Sequence, residues 1–116
     1  MQNLEQLRAA AALQDAKDLK RSAISKLPGL ILNNGLLAAA AAFCGTDGGG
    51  DNKDHLKKAM TATAKHLKER KIAGPEVHDI ESLIRDLSAK PPITLQRATH
   101  EALAFLSFLK RFATND

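Results

Sequence analysis

Four histidines and one cysteine are the side chains of this 116-residue sequence best suited to hold a metal or act as a nucleophile. Two of them, His55 and His66, fall on a similar side of the segment DNKDHLKKAMTATAKHLKERK. A helix would separate them by about 16 Å along its axis, too far to ligate one ion. His78 and His100 have no Cys or His at ligand spacing. The run CGTDGGGDN lacks the lysine and following Ser/Thr of a phosphate-cradling loop. Cys44, on an apolar stretch, reads as a small buried hydrophobe rather than a nucleophile. These residue types point away from an enzyme, with no cofactor, no metal and no small-molecule substrate expected.

Charge is the chemistry that remains. Residues 53–71 carry seven Lys/Arg against Asp54 and Glu69, a net of +5, which exceeds the +4 of the whole chain. At 100° per residue, Leu56, Met60, Thr63 and Leu67 gather on one narrow face, while Lys53, Lys57, Lys58, Lys65 and Lys68 take the opposite arc. Such a stripe is either a solvated helix face or a track for a phosphate backbone. A second polar face groups Arg97, His100, Ser107 and Arg111, with Lys110 beside them. It carries the same two readings.

Aromatic residues limit the kind of contact. The chain has four Phe and neither Trp nor Tyr, and Phe105 and Phe112 belong to an apolar stripe. Stacking platforms, worth roughly 1–3 kcal/mol per base, are therefore scarce. Any nucleic acid should be held by its backbone. Readout of duplex DNA ranks last, because the basic helix carries Lys and Thr where base edges call for Asn, Gln or Arg.

These residues need elements to position them. Alanine and leucine dominate the 44% of apolar residues, β-branched residues are few, and the expected class is all-α: one domain over residues 1–116, a bundle of about five to six helices. The patterns predict helices over about 4–20 with Asn3 as cap, 25–44, 51 or 52 to before Gly74, 76–88, and from after Pro92 to about 113 with Thr94 as cap. On the first, Leu4, Leu7 and Ala11 share one face, and Ala9, Ala12, Ala16 and Leu19 a second. Two apolar faces suit packing on two sides, or packing on one side and a partner on the other. One cysteine allows no internal disulfide, and the N-terminus has acids but no apolar core of a secretory signal, which fits a cytoplasmic protein.

The stretch LPGLILNNGLLAAAAAFCG, residues 27–45, is nearly all apolar. It is too interrupted for a membrane span and does not alternate as a hairpin would. A helix inside the bundle remains. Asn33 and Asn34 then either bond local backbone or a neighbouring helix, or form a polar handle beside Gly35 where another chain approaches closely.

Two motifs carry a resemblance. KLPGLILNNGLLAAAAAF resembles a family pattern of Lys-Leu-Pro, a few apolar residues, Asn-Gly-Leu and an Ala/Leu run to Phe. ATHEALAFLSFLKRFA is similar to the C-terminal signature of the same family, in which Glu-Ala-Leu precedes Leu-Lys-Arg-Phe-Ala. That family is the small helical subunit of the type III-B CRISPR effector, the Cmr complex. The resemblance implies a non-nuclease that stacks in a short filament beside a repeated backbone subunit, helps hold target RNA along the guide, and serves antiviral defence. Implied partners are the other complex subunits, further copies of this chain, and target and guide RNA, with no membrane. Helix geometry nominates Lys53, Lys57, Lys58, Lys65, Lys68, Arg97, Lys110 and Arg111 for RNA. Leu27, Pro28, Asn33, Asn34 and Gly35 are nominated for protein contacts. The alternative is a helical protein–protein adaptor whose basic face is merely solvated.

Overall fold

The computed structural model describes residues 3–17, 19–43 and 51–113, the side chains of Asp51 and Asn52 excepted. Cys44 and the glycine run after it lie outside the described residues. Among the described residues seven helices follow one another: α1 (Leu4–Asp15), α2 (Arg21–Ile24), α3 (Leu27–Asn34), α4 (Leu36–Ala41), α5 (Asp51–Glu69), α6 (Ile80–Ser88) and α7 (Pro92–Phe112). The all-α bundle expected from composition is the observed class. The number of helices is larger because the first predicted helix ends early and is followed by a separate turn, and the second is broken in two.

The first break follows α1. Asn3 caps this helix as expected: its side chain accepts from the Gln6 amide at 2.8 Å, and the Gln6 side chain accepts from the Asn3 amide at 2.8 Å. The helix ends at Asp15 rather than Lys20. The chain turns there, so that Ala16 and Leu19 are both buried and the Lys20 amide donates to His55 Nδ1 on α5 at 3.1 Å. Tertiary contact overrides helix propensity. The single turn α2 follows.

The second break answers the question of the apolar stretch. Its helix is cut at Gly35, whose φ of 92° and ψ of 157° close α3 and open α4. That conformation is essentially confined to glycine. A Cβ at Gly35 would meet no atom within 4 Å, so backbone conformation alone makes the position intolerant. Gly35→Ala should therefore cost about 1–3 kcal/mol. A shifted midpoint in urea denaturation with an unchanged slope is the expected reading, and an unchanged midpoint would contradict it.

Helix α5 stops where Lys71 adopts the left-handed conformation, φ 61°, and the Ile72 and Ala73 amides turn back to the Leu67 carbonyl. Helix α6 starts later than predicted, at Ile80. Asp79 takes the cap, accepting from the Ser82 amide at 2.8 Å, and Ser82 Oγ in turn accepts from the amides of His78 and Asp79. Those bonds hold residues 76–79 out of the helix. Helix α7 is led by Pro91 at the cap and Pro92 in the first turn, so Thr94 is helical and not the cap.

A single apolar cluster holds these elements together, with Leu56, Met60 and Leu67 of α5, Leu83 and Leu87 of α6, and Phe105, Leu106 and Leu109 of α7 all buried. Leu27 is fully buried in it as well. Of the residues nominated for protein contacts, it alone lies inside the core. No helix among the described residues is long and apolar enough to cross a membrane.

Candidate nucleic-acid interface

The predicted polarity of α5 is the observed one. Leu56, Met60, Thr63 and Leu67 face inward, and Thr63 is kept satisfied in the core by donating its hydroxyl to the Ala59 carbonyl at 2.8 Å. The outward face is not flat. A groove of about 480 Å³ runs along it, lined by Lys57, Lys58 and Lys65, with Thr61 and Ala62 beneath them. The end of α1 and the chain after it supply the other wall with Asp15, Lys17 and Leu19, and His78 and Asp54 complete the lining.

Lysines thus outnumber carboxylates in the groove by four to two. Lys65 approaches Asp15 at 3.8 Å, a long contact that leaves the ammonium half-exposed. Burial raises the Asp15 carboxyl above its ordinary value, only partly opposed by Lys65. The remaining nominated cations are dispersed. Lys53 is exposed one turn before the groove. Lys68 stands on a different cleft with Lys71, Gly74, Pro75 and Lys90. Lys110 and Arg111 are exposed at the far end of α7, where Arg21 binds their carbonyls at 3.2 and 3.4 Å. Arg97 lines a third pocket with Arg8, Arg70 and Glu101. Lys57, Lys58 and Lys65 of α5 come together in the groove; Lys53, Lys68 and the basic residues of α7 do not line it.

Sequence reasoning missed Lys17, because nothing in its own segment signals that the chain after α1 lies alongside α5. It also missed a buried polar cluster. Glu101 of α7, 5% exposed, accepts from Arg8 Nε and Nη2 of α1 at 2.8 Å each and pairs with His66 Nε2 of α5 at 2.8 Å. The His66 ring stacks on Phe105 with centroids 4.6 Å apart. Burial pushes the Glu101 carboxyl up, but the hydrogen bonds and charges of Arg8 and His66 outweigh it and hold it below its ordinary 4.5. Its hydrogen bond to Glu101 in turn raises the Arg8 guanidinium. His66 is thereby engaged in structure, and His55 is engaged with the Lys20 amide. Among the described residues no group of three His, Cys, Asp or Glu side chains is placed to hold a metal ion.

The aromatic rings are withdrawn from the surface. Phe43 and Phe105 are buried, and Phe108 and Phe112 are half-buried and stacked on each other at 6.1 Å. The nominated protein-contact residues outside the core lie around the α3–α4 break. Asn33, Asn34 and Gly35 are exposed there, with the Asn34 amide donating to the Leu30 carbonyl at 3.2 Å. Pro28 is half-buried at the start of α3.

No curated protein and no solved structure matches the chain. A family model described as CRISPR-associated protein (Cas_Cmr5) matches residues 4–115, nearly the whole length. The chain therefore belongs to the Cas_Cmr5 family, the small CRISPR-associated subunits of the Cmr complex.

Proposed function

We propose that this chain is a non-catalytic small subunit of a type III-B Cmr effector, acting in the cytoplasm in antiviral defence, and that it holds target RNA through phosphates along the α5 groove. The observation that carries this reading is the lysine-lined groove itself. From Lys57 to Lys65 it follows about 12 Å of helix axis, enough to face several backbone charges. Ammonium groups on flexible stems suit a track of point charges. The burial of Phe43 and Phe105 and the half-burial of Phe108 and Phe112 support contacts that serve any target sequence. Lys53 extends the track, while Lys68, Lys110 and Arg111 form separate, weaker contributions. Association with further copies and other subunits would use Pro28, Asn33, Asn34 and Gly35 at the α3–α4 break.

A complex assembled without this chain tests the reading. Filter binding should record weaker retention of target RNA, equally for unrelated guide–target pairs. Undiminished retention would refute it. The adaptor reading is favoured by Leu13 and Leu32, exposed to 62% and 71%. It predicts loss of subunits with RNA affinity unchanged in whatever complex still forms.

Asp15→Asn offers a gain-of-function check. It removes the acid that lies against Lys65 and relieves a carboxylate that burial disfavours. One added phosphate contact strengthens retention roughly fourfold near physiological salt. The raised carboxyl opposes folding at neutral pH, and this opposition fades as pH falls through its elevated titration range. The variant should therefore also be at least as stable as the parent at pH 7.

A further inference from the structure

The pocket between α1, the turn after α5 and α7 carries chemistry that the RNA reading does not use. Arg8 commits two donors to Glu101, and both Glu101 oxygens are engaged by Arg8 and His66. Arg70 and Arg97 line the same pocket, and no carboxylate among the described residues pairs with either. Arg70 Nε is buried and donates to no partner among the described residues. A buried, unanswered guanidinium N–H beside a second unpaired guanidinium is a strong demand for an anion.

The rim says which anion. Leu4 and Ile93, exposed to 36% and 62%, flank the arginines, and Ile72 lies beside them. A ribose–phosphate backbone would satisfy the guanidinium groups but leave these aliphatic side chains in water. A protein segment with an Asp or Glu next to Leu, Ile or Val covers both. The pocket holds about 340 Å³, room for a carboxylate and one aliphatic neighbour. Arginine also differs from the lysines of the α5 groove in offering a planar fork that grips a carboxylate bidentately.

We propose that the Arg70–Arg97 pocket is a docking site for an acidic, aliphatic-flanked segment of another protein subunit of the complex. This rests on family membership and is independent of the RNA role of α5. An interface of this kind needs a buried anchor in a desolvated pocket, and a charge reversal there acts mainly on dissociation.

The test uses the remaining subunits of the chain's own complex and its guide RNA, without target RNA. Arg97→Glu and, separately, Ile93→Asp should each reduce incorporation at least tenfold, while both chains melt at the parental temperature. Arg97 and Ile93 are exposed, so neither change disturbs the core. A photoreactive side chain at position 93 should cross-link a protein subunit at a segment bearing Asp or Glu, and reversing that acid to Arg should restore incorporation of the Arg97→Glu chain. Unchanged incorporation in both variants would overturn the proposal. So would a cross-link to guide RNA, which would make the pocket a phosphate site. Reversing Lys57, Lys58 and Lys65 should leave incorporation intact here, so failure of the RNA reading and failure of this one are separable.

Discussion

Glu101→Ala should destabilise the chain by about 3–5 kcal/mol, as much as truncating a large core residue. The carboxylate joins three helices: Arg8 comes from α1, His66 from α5, and Glu101 itself from α7. Removing it leaves a guanidinium and an imidazole facing each other in a site where the Glu101 and His66 side chains are 6% and 2% exposed. Roughly 10–20 °C of melting temperature should go with it. Glu101→Gln should rescue little, because its amide nitrogen brings donors to a site already supplied with donors. Replacing Arg8, His66 and Glu101 together by apolar residues of similar volume should recover much of the loss. The cost lies in the orphaned partners.

The same carboxylate sets an acid limit. Its pKa in the fold is below the ordinary 4.5, so the unfolded state binds the proton more readily. The contribution of Glu101 is complete above about pH 4.5 and is lost as pH falls toward its lowered value. Denaturation measured from pH 7 downward should show this decline in the parent chain. The triple apolar variant should show a smaller one.

Reversing Lys57, Lys58 and Lys65 to Glu should have the largest functional effect. Each reversal removes two units of charge and takes the formal net charge from +4 to −2. Losing three phosphate contacts on a single strand lowers the log–log salt slope by about 2 and weakens retention roughly 50-fold near physiological salt, before added repulsion is counted. Incorporation into the complex should persist. Lys110→Glu with Arg111→Glu should do far less, because those residues stand at the other end of α7, away from the groove. Binding isotherms at several salt concentrations separate the two variants.

What the sequence revealed of this fold followed from repeating patterns. The amphipathic period of α5 placed Leu56, Met60 and Leu67 inside and the lysines outside, and the Asn3 cap was readable from residue type. Contacts between distant segments were not readable. Nothing local announces that Lys17 joins the α5 groove, that the Lys20 amide meets His55, or that Glu101 is buried; on a helical wheel it is one more polar position. Gly35 was noticed as a place of close approach, yet its effect is to break a helix that the surrounding Leu and Ala favour. Arg70 entered only as a contribution to net charge. Its unanswered Nε is a property of packing.

Mapping the contacts of target RNA on the assembled complex tests the central claim most directly. With zero-length cross-linking followed by peptide identification, RNA should join to α5 at Lys57, Lys58 or Lys65, in similar yield for unrelated target sequences. Cross-links absent from α5 and found elsewhere on the complex would contradict the claim. A yield on α5 that followed base sequence would contradict it equally, because a groove of lysines over Thr61 and Ala62 has nothing with which to read a base.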